Sequence, residues 1–219
     1  MNRPADIRTT RDTREFPQQR ARETHLALLA AALQVFADKG YDDAQTPDIA
    51  RAAGVSVGTF YRYFADKHQA FVEAISAHLE SVHERVMMNL TVEVFRPTLS
   101  AEERRAAIDH VIDVLFQIVA EQPRLQRVFI AMALRDPGIM EIRMQFAQRA
   151  ANRVAELIKQ VAPAGRILDP EAAAQVIQIA AEEVAIVTMG GRGPAQTPER
   201  VLALRSALAE MFLRYVFGE

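Results

Sequence analysis

The chain of 219 residues contains no cysteine. This excludes a disulfide scaffold, a thiol nucleophile, a cysteine-based zinc site and an iron–sulfur cluster. Long apolar runs are also missing, because those at 114–116 and 184–187 are interrupted by Asp, Gln or Glu, whereas a membrane-spanning helix needs about 20 apolar residues. Since the beginning of the chain also lacks the apolar stretch of a secretion signal, we expect a soluble cytoplasmic protein with no membrane partner.

Charge is nearly balanced over the whole chain, with 26 Lys and Arg against 28 Asp and Glu, and half of the residues are hydrophobic. This composition is typical of a globular protein that can bury a core. The balance is local rather than uniform, because residues 1–22 hold six arginines and three acidic residues. We interpret residues 1–17 as a flexible arginine-rich arm, which is either a solvated tail or a segment that follows a polyanion.

Helical periodicity dominates the rest of the sequence. Apolar residues recur at spacings of three and four between the ten prolines, which is the pattern of amphipathic helices. The segments predicted to be helical are 19–39, ended by Gly40, then 67–94, 108–119, 139–161, 171–189 and 198–217. No sustained alternation of period two indicates a strand. We therefore predict an all-α protein with a small head at 18–67 and a larger helical body at 68–219.

The head contains a segment that predicts two short helices joined by a tight turn. The first helix is expected to begin at Thr46 as N-cap and to end at Gly54, and the second to begin at Val57 with Ser56 as N-cap. Two short helices with a glycine-containing turn form a helix-turn-helix.

The second short helix is expected to have a buried side and a polar side. Phe60 and Phe64 are four residues apart and should anchor it to the core. The residues left facing outward are Val57, Gly58, Thr59, Tyr61 and Tyr63. Hydroxyl groups donate to phosphate oxygens, and the first residues of a recognition helix read base edges. The alternative is a small helical subdomain without DNA contacts.

The motif at 49–67 reads Ile-Ala-x-x-Ala-Gly-Val-Ser-x-Gly-Thr-x-Tyr-x-Tyr-Phe-x-x-Lys and resembles the DNA-binding signature of the TetR family of bacterial transcription regulators. The resemblance covers residues 20–75. It implies a TetR-like fold of about nine helices, with a three-helix DNA-binding domain before an effector-binding and dimerisation domain. It also implies a repressor that binds a palindromic operator as a homodimer and is released by a small, largely apolar effector. The DNA-contacting positions that it implies are Thr46, Ser56, Val57, Gly58, Thr59, Tyr61, Tyr63 and Lys67.

The two C-terminal helices carry small and apolar residues that suit helix pairing across a two-fold axis. The predicted dimer interface comprises Ala173, Val176, Ile177, Ala180, Val184, Leu204, Leu208 and Met211. The alternative is an intramolecular core. Glu182 and Glu183 lie in an otherwise apolar helix, so at least one should be buried and ion-paired at the interface, with Arg149 or Arg153 as partner, or in contact with a cationic or hydroxylated effector.

Methionine and phenylalanine are concentrated in the middle of the chain, where flexible thioethers suit an adaptable apolar cavity. The predicted pocket residues are Met87, Met88, Phe95, Phe116, Phe129, Met132, Met144 and Phe146. The alternative is that they belong to the core, as Met and Phe stripes at helical spacing more often do.

Two alternatives to a regulator exist at the level of the sequence. Glu80 and His83 have the Glu-x-x-His spacing of di-iron bundles, but there is no second copy of the motif. A helical adaptor that binds protein instead of DNA is the other alternative. Because no catalytic, metal or cofactor motif is evident, we predict a non-enzyme with no cofactor, whose partners are duplex operator DNA, a second copy of the chain and an unidentified small molecule.

Overall fold

The computed structural model describes residues 15–96, 98–190 and 196–218. Over these ranges the chain forms nine α-helices and no strand. The helices are α1 Glu15–Asp43, α2 Thr46–Ala52, α3 Val57–Phe60, α4 Lys67–Met87, α5 Ala101–Glu121, α6 Pro123–Ala133, α7 Pro137–Val161, α8 Pro170–Thr188 and α9 Pro198–Phe212, the last continued by a π-helical turn, Leu213–Phe217. The prediction of an all-α fold is confirmed.

The two ends of the first helix can be compared with the prediction. Gly40 has φ 79° and ψ 171°, a conformation that favours glycine, and it breaks the helical geometry of α1 as predicted. At the other end, α1 begins at Glu15, inside the range that we interpreted as an arm. Residues 1–14 lie outside the described residues.

Two helix ends differ from the prediction. Gln45, not Thr46, is the N-cap of α2, because Asp48 reaches back to accept a hydrogen bond from the Gln45 N–H at 3.2 Å and no hydroxyl is needed. Helix α4 ends at Met87 rather than at residue 94. The chain turns there because Leu90 and Phe95 are buried in the body core, which a continued helix could not reach.

The head does not have a core of its own. Its buried residues, including Phe36, Phe60 and Phe64, form one cluster with Leu125 and Phe129 of α6. The predicted boundary after residue 67 falls where α4 begins, and α4 continues from the head into the body. A second cluster joins α5, α7, α8 and α9. Head and body are therefore coupled through both α4 and α6.

No helix in the described part of the chain is long and apolar enough to cross a lipid bilayer.

Candidate nucleic-acid interface and body cavity

Helix α3 is only four residues long, and local contacts hold it. The Ser56 hydroxyl accepts a hydrogen bond from the Thr59 N–H at 3.0 Å, and the two hydroxyl oxygens are 2.9 Å apart. The side chains of Phe60 and Phe64 are fully buried beneath it. The predicted N-cap and both predicted anchors are confirmed. A helix this short depends on such contacts, because it is far below the length at which a helix is stable alone.

The outward face of α3 is exposed to solvent. Ser56 and Gly58 are exposed, and the side chains of Val57 and Tyr61 are exposed by 37% and 55%. Thr46 and Thr59 are half-buried. A Cβ added to Gly58 would meet only the Ser56 hydroxyl, at 3.8 Å, and its backbone has no positive φ. Six of the eight predicted DNA-contacting residues are thus exposed or half-buried at the first turn of α2 and along α3.

Tyr63 is half-buried, as Thr46 and Thr59 are, and its side chain makes contacts within the head. Its hydroxyl donates to the carbonyl oxygen of Ala21 at 3.1 Å, and its ring stacks on His25 with the centroids 5.8 Å apart. The turn after Phe60 directs the phenol back toward α1, so Tyr63 ties the recognition element to the first helix.

Lys67 differs from the prediction, because its ammonium group is occupied. It donates to the carbonyl oxygens of Tyr41, Asp42 and Ala44 at 2.9, 3.0 and 3.0 Å. The same group lies 4.8 Å from the centre of the Tyr41 ring. An ammonium has three hydrogens, so none is left for a phosphate in this conformation. Lys67 holds the segment between α1 and α2.

Several acidic side chains of the head are paired with basic ones. Asp48 lies 2.7 Å from Lys39 and also contacts Arg51, and the Lys39 hydrogen bond lowers the pKa of Asp48. The body supplies Arg135, which lies 2.8 Å from Asp42. Acidic side chains of the head are therefore paired both within the head and with arginine from the body.

The body encloses a cavity of about 270 Å³ between α4, α5, α6, α7, α8 and the end of the chain. Four predicted pocket residues line it, namely Met87, Phe95, Phe129 and Phe146. Four do not, which corrects the prediction for Met88, Phe116, Met132 and Met144.

Helix rotation and packing explain these four errors. Met88 and Met144 are 70% and 64% exposed. Their neighbours in the sequence, Met87 and Arg143, are the residues that line the cavity. Met132 is buried in the core shared with the head, and Phe116 is buried where α5 meets α9, beneath Arg205.

Sequence reasoning missed the polar lining of the cavity. Residues with polar side chains in the wall are His78, His83, Gln122, Gln126, Arg143, Gln178 and Glu182. Burial lowers the pKa of His78, and burial together with Arg149 lowers that of His83, which keeps both imidazoles neutral. The signal was available, because His78 and Arg143 occupy registers that are otherwise apolar in their helices.

Glu182 belongs to this cavity and not to an interface with Arg149 or Arg153. Its partner is Arg143, with Nη2 and Oε1 3.4 Å apart. Arg149 instead pairs with Glu80 at 2.8 Å, and Arg153 donates to the carbonyl oxygen of Leu90 at 2.8 Å. These long-range partners decide which register of each helix faces inward.

The predicted dimer residues divide into two groups. Ala173 and Leu208 are buried inside the protomer and cannot contact a partner, which corrects their assignment. Val176 and Met211 are exposed, and the half-buried ones are Ile177, Ala180, Val184 and Leu204. Further large apolar side chains exposed on the same two helices and the turn after them are Ile179, Val187, Leu202 and Tyr215.

The Glu80-x-x-His83 spacing does not form a metal site in the structure. Glu80 is held by Arg149, whose hydrogen bond lowers the pKa of that carboxyl group. Across the described ranges, no group of three or more His, Asp or Glu side chains is placed to bind a metal ion.

Comparison with known proteins agrees with this architecture. Residues 28–74 match the model of bacterial regulatory proteins of the tetR family, and residues 105–215 match the tetracyclin repressor-like C-terminal domain. The chain is 29% identical over 110 residues to the fatty acid metabolism regulator protein of Bacillus subtilis, and 30% identical over 142 residues to the transcriptional regulator SrpR of Pseudomonas putida. These matches span 48% and 64% of this chain but only 57% and 60% of the two relatives.

Solved structures show the same fold. A transcriptional regulator of Mesorhizobium loti assigned to this family superimposes with a TM-score of 0.73 at 22% identity, covering 89% of this chain and 96% of the other. A TetR-family regulator from Streptomyces coelicolor gives 0.66 at 20% identity, covering 89% and 80%. Both family models and these relatives describe transcriptional regulators rather than enzymes. The chain belongs to the TetR family and is a DNA-binding transcriptional regulator.

Proposed function

We propose that this protein is a repressor that binds a palindromic operator as a homodimer in the cytoplasm and is released by a small, largely apolar effector. The observation that carries the proposal is the construction of α3, whose hydrophobic side is fully buried at Phe60 and Phe64 while its other side is exposed. We assign the DNA contacts to Thr46, Ser56, Val57, Gly58, Thr59 and Tyr61. Tyr63 and Lys67 position these residues instead.

The chemistry of the exposed face suits a major groove. Val57 can contact a thymine methyl, and the hydroxyls of Thr59 and Tyr61 can donate to a base or a phosphate. Neither packing nor backbone conformation requires glycine at Gly58, and a glycine there lets a DNA backbone approach closely.

A dimer is needed for two-fold recognition, because two recognition helices must lie about 34–36 Å apart to enter successive major grooves. The exposed apolar residues of α8 and α9 support pairing through these helices. Val176, Ile179 and Val187 are spaced by three and eight residues, which places them on one side of α8. Scattered apolar side chains are normal on a surface, but several large ones on one side of a helix, here interrupted by Glu183, indicate an interaction site.

We attribute the release of the protein from DNA to the contact between α7 of the body and the start of α4. Asp136 caps α7 by accepting hydrogen bonds from the N–H groups of Gly138 and Ile139 at 2.8 and 3.2 Å, and it also lies 2.7 Å from His68 at the start of α4. Helix α7 carries Arg143 into the cavity. A ligand that shifts α7 would move Asp136 and hence α4, changing the spacing of the two heads. A tenfold decrease in operator affinity needs about 1.4 kcal/mol of differential binding.

The experiment is footprinting on the DNA that flanks the gene, followed by affinity measurements on the protected fragment. We expect a palindromic footprint and a steep salt dependence. Tyr61→Phe should weaken binding about tenfold, since a hydrogen bond to a charged group contributes about 1.5–3 kcal/mol. Ser81→Ala, which removes an exposed hydroxyl from α4, is the matched control and should leave affinity unchanged. No binding to any duplex at low salt would favour the protein-binding adaptor.

Dimerisation needs its own test, because DNA binding alone does not measure it. Ile179→Glu places a charge on the exposed face of α8 and should yield monomers in sedimentation equilibrium. Met88→Glu changes an equally exposed apolar residue on another helix and should leave the dimer intact. A dimer that survives Ile179→Glu and Val176→Glu together would refute this interface.

We also propose that the arginine-rich arm contacts DNA. Deleting residues 1–14 removes four arginines without shortening α1. For each phosphate that the shortened protein no longer neutralises, the plot of log affinity against log salt should become shallower by about 0.9. An unchanged slope would identify the arm as a solvated tail.

A further inference from the structure

The polar residues of the body cavity are grouped toward one end. On α7 the lining extends from Arg143 to Val161, a distance of roughly 27 Å at 1.5 Å per residue. Around Val161 the wall is apolar, because Leu90, Phe95 and Phe212 share one core cluster with it. Arg143 lies at the opposite end with Glu182. The cavity is therefore long, with a polar end nearer the head and an apolar end.

Contacts between helices place His78 and Gln178 at the same end. Helix α4 runs alongside α7, since His68 contacts Asp136 and Glu80 contacts Arg149. His78 therefore lies between these two levels, as Arg143 does. Gln178 donates a hydrogen bond to Glu182. Met87, near the end of α4, lies toward the apolar end.

The polar end carries no net charge. Arg143 and Glu182 compensate each other, with Nη2 and Oε1 3.4 Å apart. Burial lowers the pKa of His78 and therefore favours the neutral imidazole. A charged ligand would lose its hydration and find no uncompensated opposite charge in this wall, whereas a neutral ligand avoids that cost.

One donor in the wall lacks an acceptor. The Nε of Arg143 is buried and makes no hydrogen bond. A buried N–H without a partner is costly, and buried polar groups in native proteins normally have one. Because this atom has almost no accessible surface, a ligand oxygen would instead meet the remaining donors of Arg143 and the amide of Gln178, two residues of the cavity wall.

We propose that the effector is a neutral, elongated apolar molecule with an acceptor oxygen at one end, of the class of medium-chain alcohols, ketones and esters. The oxygen accepts from Arg143, and the chain extends toward Val161. The volume of about 270 Å³ lies just below the roughly 300–1,000 Å³ of drug-sized sites. This assignment depends on the proposed function only for its effect on DNA.

The test compares three eight-carbon probes that differ only in their head group: 1-octanol, octanoate and octylammonium. Their affinities are measured by isothermal titration calorimetry with the full chain and no DNA. We expect 1-octanol to bind at least tenfold more tightly than either charged probe. Arg143→Met should weaken 1-octanol about tenfold. Lys159→Met removes a cation of the same helix that pairs with Glu156 and Glu171 outside the cavity, and it should have no effect.

A charge change gives a second readout that a general loss of packing would not produce. Glu182→Gln leaves the Arg143 charge uncompensated, so octanoate should gain at least tenfold and become the preferred probe. In Arg143→Met the uncompensated Glu182 should favour octylammonium in the same way. Folding of each variant is checked by circular dichroism.

The outcomes separate the ligand from the function. If 1-octanol binds no more tightly than the charged probes, or if none of the three binds below its solubility limit, the ligand assignment is refuted whatever happens with DNA. Unaltered head-group preference in both variants would also refute it. If 1-octanol binds with the expected preference to a protein that ignores every duplex, the ligand assignment stands and the repressor proposal fails.

Discussion

Lys67 offers the sharpest test of how the head is built, because its position in the sequence motif and its position in the structure predict different behaviour. The motif implies a phosphate contact. In the structure the ammonium bonds to the carbonyl oxygens of Tyr41, Asp42 and Ala44. The substitution Lys67→Met keeps the length and apolar stem of the side chain and removes only the charge and its donors.

The expected decrease in stability follows from these three bonds. A hydrogen bond to a charged group contributes about 1.5–3 kcal/mol, but three bonds that share one half-buried ammonium do not add fully, and water can reach some of the freed carbonyls. We therefore expect Lys67→Met to lower the free energy of unfolding by about 2–3 kcal/mol. For a chain of this size, that corresponds to a decrease of roughly 4–12 °C in Tm.

The assay combines thermal unfolding with the salt dependence of DNA binding. Lys159→Met is the control, because Lys159 forms exposed pairs with Glu156 and Glu171 at 2.8 Å and such pairs contribute little to stability. If Lys67 were a phosphate contact only, Lys67→Met would leave Tm unchanged and reduce the salt slope by about 0.9. That result would refute the structural role that we assign to it.

Three further substitutions test other parts of the fold. Phe60→Ala removes the anchor of α3 and should cost about 3–5 kcal/mol in urea unfolding, whereas the exposed Tyr61→Ala should cost far less. Ser100→Ala breaks the capping box of α5 and should cost about 1 kcal/mol in the same assay, with Ser81→Ala as control. The hydrogen bond from His68 lowers the pKa of Asp136, so Asp136 stabilises the fold fully above the ordinary value of 3.8, and this contribution is lost as the pH falls below it. Asp136→Asn should therefore flatten the pH dependence of Tm between pH 5 and 3, and an unchanged dependence would show that this pair is unimportant.

Local sequence determined the elements of the helix-turn-helix. The Ser56 cap, the helix stop at Gly40 and the four-residue spacing of Phe60 and Phe64 depend on residues within a few positions of each other. Capping, φ preference and four-residue spacing act over that same range. The predictions made from them were confirmed.

Only the tertiary structure decided the partners of the polar side chains. Lys67 reaches back to Tyr41, and Arg143 meets Glu182, in both cases across long stretches of sequence. Composition also does not predict how each helix is rotated about its axis. Successive side chains on a helix differ in direction by about 100°. This difference separates the exposed Met88 from Met87, which lines the cavity. Periodicity specifies that a helix has an inner and an outer side, but the neighbouring helices fix where the boundary between those sides falls.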